Sequence, residues 1–287
     1  MSRPMFGLNV SGSAAPGADP VSDARTAELL GFDFVSISDH PGSPHPCFET
    51  WTLLTWIAAS TSRITVMPRV LGVPFRAPAL VAKSAESLSR LAAGRLVLGL
   101  GAGYDDQEFA RLGLPVRTTG QKISGLDDAV QIIRGMWQHS DFTYVGTVYH
   151  TGGADLEPKP ARRIPIWLGT FGPRALEITG RLADGWIPSR GYVPDGQLPV
   201  MRRAVLDAAE RHGRDPSHIT CALNVTVHIV DRPRGLPDPF TGPPARIAEE
   251  LLHYVELGFR AFNFAISGQH SKEQIERLAA DVLAVIT

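Results

Sequence analysis

The sequence predicts an α/β chain folded as a single (β/α)8 barrel over residues 1–287, with an inserted hairpin or loop segment around residues 141–160. Three observations predict it. Short β-branched or apolar runs alternate with amphipathic segments along nearly the whole chain. They give about eight strands, most of them followed by a helix. The glycine fingerprint that a doubly wound dinucleotide-binding sheet carries at its first strand-to-helix turn is missing from that place. Glycines gather instead after the fourth strand, where Gly99-x-Gly101 has Tyr104 in the third position and Gly101-x-Gly103 has Asp106.

Phe6–Val10 reads as the first strand, and Asp19-Pro20 offers an N-cap followed by proline at the first helical position, with Gly31 closing that helix after Leu30. Phe34, Val35 and Ile37 supply a second strand that Pro41-Gly42-Ser43-Pro44 stops. A helix near 51–59 leads to a third strand, Ile64-Thr-Val-Met67. Apolar residues at Leu80, Val81, Ala85, Leu88 and Leu91 then repeat at helical spacing. Leu96-Val-Leu-Gly-Leu100 is apolar enough to be buried on both faces. The loop Gly101–Glu108 follows, and then a helix over 123–137.

Phe142–Val145 and Thr147–Tyr149 around Gly146 break the rhythm as a small hairpin. The rhythm resumes with Ile164–Leu168, a helix over 174–182, the short strand 185–187, a helix over 201–212 and a long strand over 219–230. A Pro/Gly-rich loop over 231–239, an amphipathic helix over 243–256 and the strand Ala261–Ala265 come next. Ser271 with Gln274 forms the signature of a capping box for the last helix.

Composition narrows the function. A hydrophobic fraction of 44% with 20% charged residues is ordinary for a globular chain, and a net charge of −1 gives no excess positive charge to draw in nucleic acid. No run reaches the roughly 18 to 20 apolar residues of a membrane span. The N-terminus has no long apolar leader region. The two cysteines, Cys47 and Cys221, suggest no disulfide framework. A soluble, cytoplasmic protein is expected, with no nucleic acid and no membrane partner.

Asp39 and His40 stand at the C-terminal end of the second strand, where parallel α/β folds place their active sites. A carboxylate beside an imidazole fixes its tautomer and raises its basicity, although a structural pair capping the next loop would read the same way. Glu108, in the loop after the fourth strand, opens on the same face and can approach His40 across the mouth. The alternative there is a flexible turn with solvated acids. His40, His45 and Cys47 match no standard zinc spacing, so no metal site is expected. Leu168-Gly-Thr-Phe-Gly-Pro-Arg174 runs from a strand into a helix start, a geometry that offers backbone N–H groups to a phosphate. Thr170 can add a hydroxyl there and Arg174 a charge. Trp51, Tyr104, Trp186 and Phe264 are candidates for an apolar pocket or for barrel packing.

Together these residues resemble the luciferase-like oxidoreductases, in particular the branch that uses the deazaflavin coenzyme F420. The resemblance runs from Gly7 to about Ile286. It is carried by Gly31–His40, by Ala82-Lys-Ser-Ala-Glu-Ser-Leu with Gly94–Gly103, and by Ile164–Glu177 with Gly180 and Ala183–Trp186. It implies a homodimeric barrel with the deazaflavin ring in the mouth, the phosphate tail at the Gly169, Thr170, Phe171, Gly172, Pro173, Arg174 turn, and hydride transfer to or from a small organic substrate. Asp39 and His40 would lie beside the ring, with Ala102 and Gly103 against it. Glu108 aligns with an acidic residue near the substrate, which makes His40 the expected acid/base with Glu108 as its partner or an alternate proton donor. A non-proline cis bond is implied at the end of the third strand, behind the ring, at Arg69-Val70, which counts Arg69 and Val70 among the expected cofactor-binding residues. Flavin mononucleotide in a monooxygenase, or F420 bound without catalysis, are the alternatives.

Overall fold

The computed structural model of this chain describes residues 3–232, 238, 240–267 and 271–286. Its strands are β1 (Met5–Asn9), β2 (Phe34–Ile37), β3 (Thr65–Pro68), β4 (Leu71–Gly72), β5 (Leu98–Gly101), β6 (Phe142–Val145), β7 (His150–Ala154), β8 (Ile166–Leu168), β9 (Gly185–Trp186), β10 (Thr220–Ile229), β11 (Thr241–Gly242) and β12 (Ala261–Ile266). All except the hairpin strands β6 and β7 belong to one parallel sheet. β1, β2 and β3 pair in sequence order, and β12 pairs back onto β1. β5, β8, β9, β10 and β12 follow around the ring. A bridge between Val66 and Leu96, with the β4–β5 pairing, closes the third position onto the fourth. The expected barrel is therefore present, with β3 and β4 sharing one of its eight positions on either side of a cis bond at Arg69–Val70.

The helices are α1 (Pro20–Leu29), α2 (Thr50–Ser60), α3 (Pro78–Leu91), α4 (Asp106–Arg111), α5 (Thr119–Gln138), α6 (Pro173–Leu182), α7 (Leu198–Arg211), α8 (Pro244–Glu256) and α9 (Ser271–Arg277). The Asp19 cap forms as expected, accepting from Ser22 N–H, and Gly31 takes the positive φ that ends the turn. Three local expectations need correction. The loop after β5 holds the additional helix α4, and α5 begins earlier than expected because Thr118 and Gln121 form a full capping box. The Ser271/Gln274 box does not form. Gln274 instead accepts from Ile229 N–H and donates to Ile229 C=O, satisfying the backbone at the end of β10. Most of the loop expected over 231–239 lies outside the described residues.

The barrel interior is packed by a large-small alternation. Phe34, Met67 and Trp167 fill its lower layer, with the Phe34 and Trp167 rings meeting edge to face at 6.0 Å. Gly7 and Gly185 make the room, since a Cβ on Gly7 would lie 2.1 Å from the Phe34 ring and one on Gly185 2.5 Å from Trp167. The hairpin is bound to α5 through buried Asp128, which accepts from the N–H groups of Val148 and Tyr149 and from the Tyr144 hydroxyl. Burial first, and then the Asp128 charge, push the Tyr144 hydroxyl up to about 12. Among the described residues, no helix is long and apolar enough to cross a membrane.

Candidate active site

The C-terminal ends of the barrel strands surround a cavity of about 360 Å³. Strand ends bring the polar groups and the following loops supply most of the apolar wall. Ser38, Asp39 and His40 enter from β2, Arg69 and Val70 from the cis segment, Gly101 to Tyr104 from β5, and Gly169 to Phe171 from β8. Val70 stands between two glycines: a Cβ on Gly101 would lie 2.5 Å from its Cγ2, and one on Gly169 3.3 Å from its methyl groups. Those glycines give the mouth its shape.

His40 and Glu108 meet as the sequence suggested. His40 Nδ1 lies 3.0 Å from Glu108 Oε2, and the other carboxylate oxygen accepts from Gly42 N–H at 2.8 Å. Asp105 caps α4 by accepting from the N–H groups of Gln107 and Glu108, which fixes the helix that carries the glutamate. Glu108 is buried, whereas His40 keeps 42% of its side chain exposed toward the mouth. An ionised carboxylate only accepts, so the proton between the pair belongs to His40 Nδ1. Nε2 is then left for the cavity as an acceptor in the neutral ring. Tyr104 meets the imidazole edge-on at 5.9 Å.

The pairing expected between Asp39 and His40 is not formed. Asp39 turns its fully buried carboxylate to Arg76, which donates to both oxygens at 2.7 and 2.9 Å, and it also accepts from Gly72 N–H. Arg76 reaches on to Glu49. Burial works against the Arg76 charge, but Asp39 and Glu49 outweigh it and raise the Arg76 pKa. This ion pair ties the end of β2 to the 3₁₀ turn at Val73–Phe75 and so positions the strand end that presents His40.

At the β8 end, α6 starts at Gly172, which has φ +77° and no side chain to cap the helix. Pro173 has no N–H, and Arg174 and Ala175 precede the first helical bond, from Leu176 N–H to Gly172 C=O. Their N–H groups are therefore free of the helix's own ladder at its positive end. Two expectations change here. Thr179 gives its only hydroxyl proton to Ala175 C=O, so Thr170 donates its own proton to Thr179 Oγ1, 2.7 Å away, and has none for an anion. Arg174 is exposed and donates to Ser124 Oγ at 2.7 Å, docking against α5.

Of the four aromatic candidates only Tyr104 lines the cavity. Trp186 and Phe264 are fully buried in packing and Trp51 rests against the core. The wall is made by Phe75, Phe109, Phe171 and Tyr192, the last two stacked at 5.5 Å. Sequence reasoning placed Phe171 at the phosphate turn and passed over Phe75, Phe109 and Tyr192, because loops and single helical turns are too short to show a periodicity. It also missed a polar chain beneath the cavity. Ser36 Oγ lies between Asn9 Oδ1 and Asn263 Oδ1, Asn263 donates to Asn224 Oδ1 at 2.8 Å, and Asn224 donates to Ile187 C=O, Pro188 C=O and Ser189 Oγ. Arg69 joins the near end, giving Nε–H to Asn9 Oδ1 at 3.0 Å and Nη2–H to Ser38 Oγ at 2.8 Å.

This is a parallel (β/α)8 barrel with a buried carboxylate paired to a half-exposed imidazole at its mouth and an open helix N-terminus across from it. Residues 8–238 match the family model described as luciferase-like monooxygenase, and the chain belongs to that family. It is 30% identical over 241 residues to an F420-dependent glucose-6-phosphate dehydrogenase of Nakamurella multipartita, covering 81% of this chain and 70% of that protein. It is 31% identical over 199 residues to a 5,10-methylenetetrahydromethanopterin reductase of Methanolobus tindarius, covering 69% and 58%. In fold it is similar to an F420-dependent secondary alcohol dehydrogenase in complex with an F420-acetone adduct, with a TM-score of 0.87, 18% identity and 99% of each chain covered.

Proposed function

We propose that the protein is an F420-dependent oxidoreductase that moves a hydride between the deazaflavin and a small organic substrate. The observation that carries this reading is the His40–Glu108 pair at the mouth of a luciferase-like barrel whose relatives are named for F420-dependent chemistry. The residues present fit such a group. The apolar wall suits a flat ring, and the uncapped start of α6 suits a phosphate. Val70, Ala102 and Gly103 would face the ring, and Gly169 to Arg174 would hold the tail through backbone N–H groups, with Arg174 at the rim. When bound, the deazaflavin supplies a two-electron hydride carrier.

The chain's own task is then to orient the substrate and move a proton. Glu108 holds His40 in the Nδ1–H form, so Nε2 takes a proton from a substrate hydroxyl in the oxidative direction and returns it in the reductive one. Asp39 acts through Arg76 and Gly72 to hold the strand end in place. We read the whole chain as one barrel unit working as a cytoplasmic homodimer, in which exposed Trp56 on α2 and Leu80 and Leu91 on α3 are apolar surface available for pairing.

The test is a parallel fluorescence titration of the purified protein with oxidised F420 and with flavin mononucleotide. Tight binding of F420 alone is expected. Preference for flavin mononucleotide would move the protein to the monooxygenase class. Undiminished turnover in both His40→Ala and Glu108→Gln at saturating F420 would refute the roles given to that pair.

A further inference from the structure

Arg69 is a cation that faces the cavity without a counter-ion among the described residues. Arginine stays protonated at any working pH, and its guanidinium has five N–H donors. Two are used, by Asn9 and Ser38, and both acceptors are neutral. Those two bonds occupy the side of the fork formed by Nε and Nη2. The end-on edge formed by Nη1 and Nη2 stays open, the geometry that pairs with both oxygens of an oxyanion.

The acids around the cavity are engaged elsewhere: Asp39 by Arg76 and Gly72, Glu108 by His40 and Gly42, and Asp105 by the amides of α4. Burial lowers the Arg69 pKa, and Tyr192 and Tyr104 only partly oppose it. A partly buried, uncompensated charge is costly, and a ligand that supplies the missing anion recovers that cost.

Position in the ring separates this charge from the helix N-terminus. Arg69 leaves the third barrel position and extends over the second and first, toward Ser38 and Asn9. The open start of α6 follows β8, at the fifth position. Arg69 thus shares a wall with His40, two residues beyond Ser38, and not with the phosphate turn. We propose that Arg69 binds an oxyanionic group of the substrate, a carboxylate or a phosphate, and thereby restricts this site to anionic substrates. This rests on the reading of the mouth as the site of an F420-dependent oxidoreductase.

The test titrates the protein by calorimetry, alone and saturated with F420, using two matched pairs of probes: benzoate with benzamide, and glucose 6-phosphate with glucose. Wild-type protein is expected to bind at least one anion about tenfold to hundredfold more tightly than its neutral partner, the ratio of a charged hydrogen bond lost. The preferred pair identifies the group as carboxylate or phosphate. R69M is expected to erase the preference and R69K to keep part of it, while F420 affinity by fluorescence stays the same in all three. No preference in the wild type, or a preference that survives in R69M, overturns the proposal. Weakened F420 binding in R69M also overturns it, because the charge would then serve the cofactor. If R69M does not fold, the wild-type pairs and R69K decide the matter. Failure of the wild type to bind F420, with the anion preference intact, would refute the cofactor reading and leave the role of Arg69 standing.

Discussion

Glu108→Gln should reverse the tautomer of His40 while leaving the fold in place. In the wild type the carboxylate accepts on both sides, from Gly42 N–H and from His40 Nδ1–H. Glutamine has one acceptor and one donor end, and the fixed backbone N–H of Gly42 selects the amide oxygen. The amide NH₂ is then turned to His40 Nδ1, which must accept, and the ring proton moves to Nε2. Both hydrogen bonds persist in number, so stability should change by no more than about 1 kcal/mol. The cavity-facing nitrogen loses the lone pair that takes a proton, which should lower turnover by about 10²- to 10⁴-fold, the usual share of a general base. The ¹⁵N shifts of the His40 ring, measured where the ring is neutral, report the tautomer without any need for a substrate. Nδ1 should read as protonated in the wild type and Nε2 in E108Q. The same assignment in both proteins would refute the reasoning.

Other perturbations read neighbouring parts of the same construction. In Gly42→Ala the new Cβ would sit 2.7 Å from Glu108 Cγ and 3.2 Å from Leu112, against a carboxylate held at both oxygens. It should cost about 1–3 kcal/mol and disturb the His40 shifts in the same experiment. Asp39→Asn leaves Arg76 with only half-exposed Glu49 as a charged partner, and urea unfolding should show a loss of about 3 kcal/mol, the low end for breaking a buried pair. Acid stability follows from Glu28 and Glu49. Burial raises both, but the N–H groups of residues 62–64 for Glu28, and Thr52 and Arg76 for Glu49, outweigh it and lower both below 4.5. Their stabilisation is therefore whole above pH 4.5 and is lost as the pH falls through the lower folded values. The melting temperature should drop over that window in the wild type and less steeply in the double variant E28Q/E49Q.

The barrel was legible because its strands are short apolar runs, buried on both faces, between helices with one apolar face. The meeting of His40 with Glu108 was legible for a related reason: loops after neighbouring strands of a parallel barrel all open at one end. The orientation of Asp39 was not. Asp39 and His40 follow one another just past the end of β2 and both line the cavity, yet the Asp39 carboxylate turns to Arg76 and Gly72 while the His40 ring turns to Glu108. Nothing local marked Arg76 as its partner, because the 3₁₀ turn that returns Arg76 to β2 is a tertiary event. Gln274 had two competing uses, a cap or a strand end, and the buried backbone of Ile229 took it. Asp184, inside the familiar Ala183–Trp186 stretch, lies at the other end of the barrel, where it accepts from Arg134 and from Ile166 N–H. A stretch that carries resemblance can therefore belong to the scaffold and not to the site.

The polar chain beneath the cavity explains how Arg69 stands there with no counter-ion among the described residues. A guanidinium partly withdrawn from water needs oriented dipoles in place of solvent. Asn224 donates to backbone carbonyls and Ser189 on its far side and turns its oxygen to Asn263. Asn263 donates to that oxygen and turns its own toward Ser36, while Asn9 Oδ1 accepts from Arg69 itself. The amide oxygens thus face the cation in series, and the chain ends at donors that only backbone carbonyls and a hydroxyl absorb. Below it the barrel is filled by Phe34, Met67 and Trp167, which keep water from competing for those dipoles. An apolar lower layer and a polar upper layer are therefore one arrangement. The first gives the second the low dielectric that strengthens its dipoles, and the second holds a positive charge, open edge outward, beside the imidazole that moves the proton.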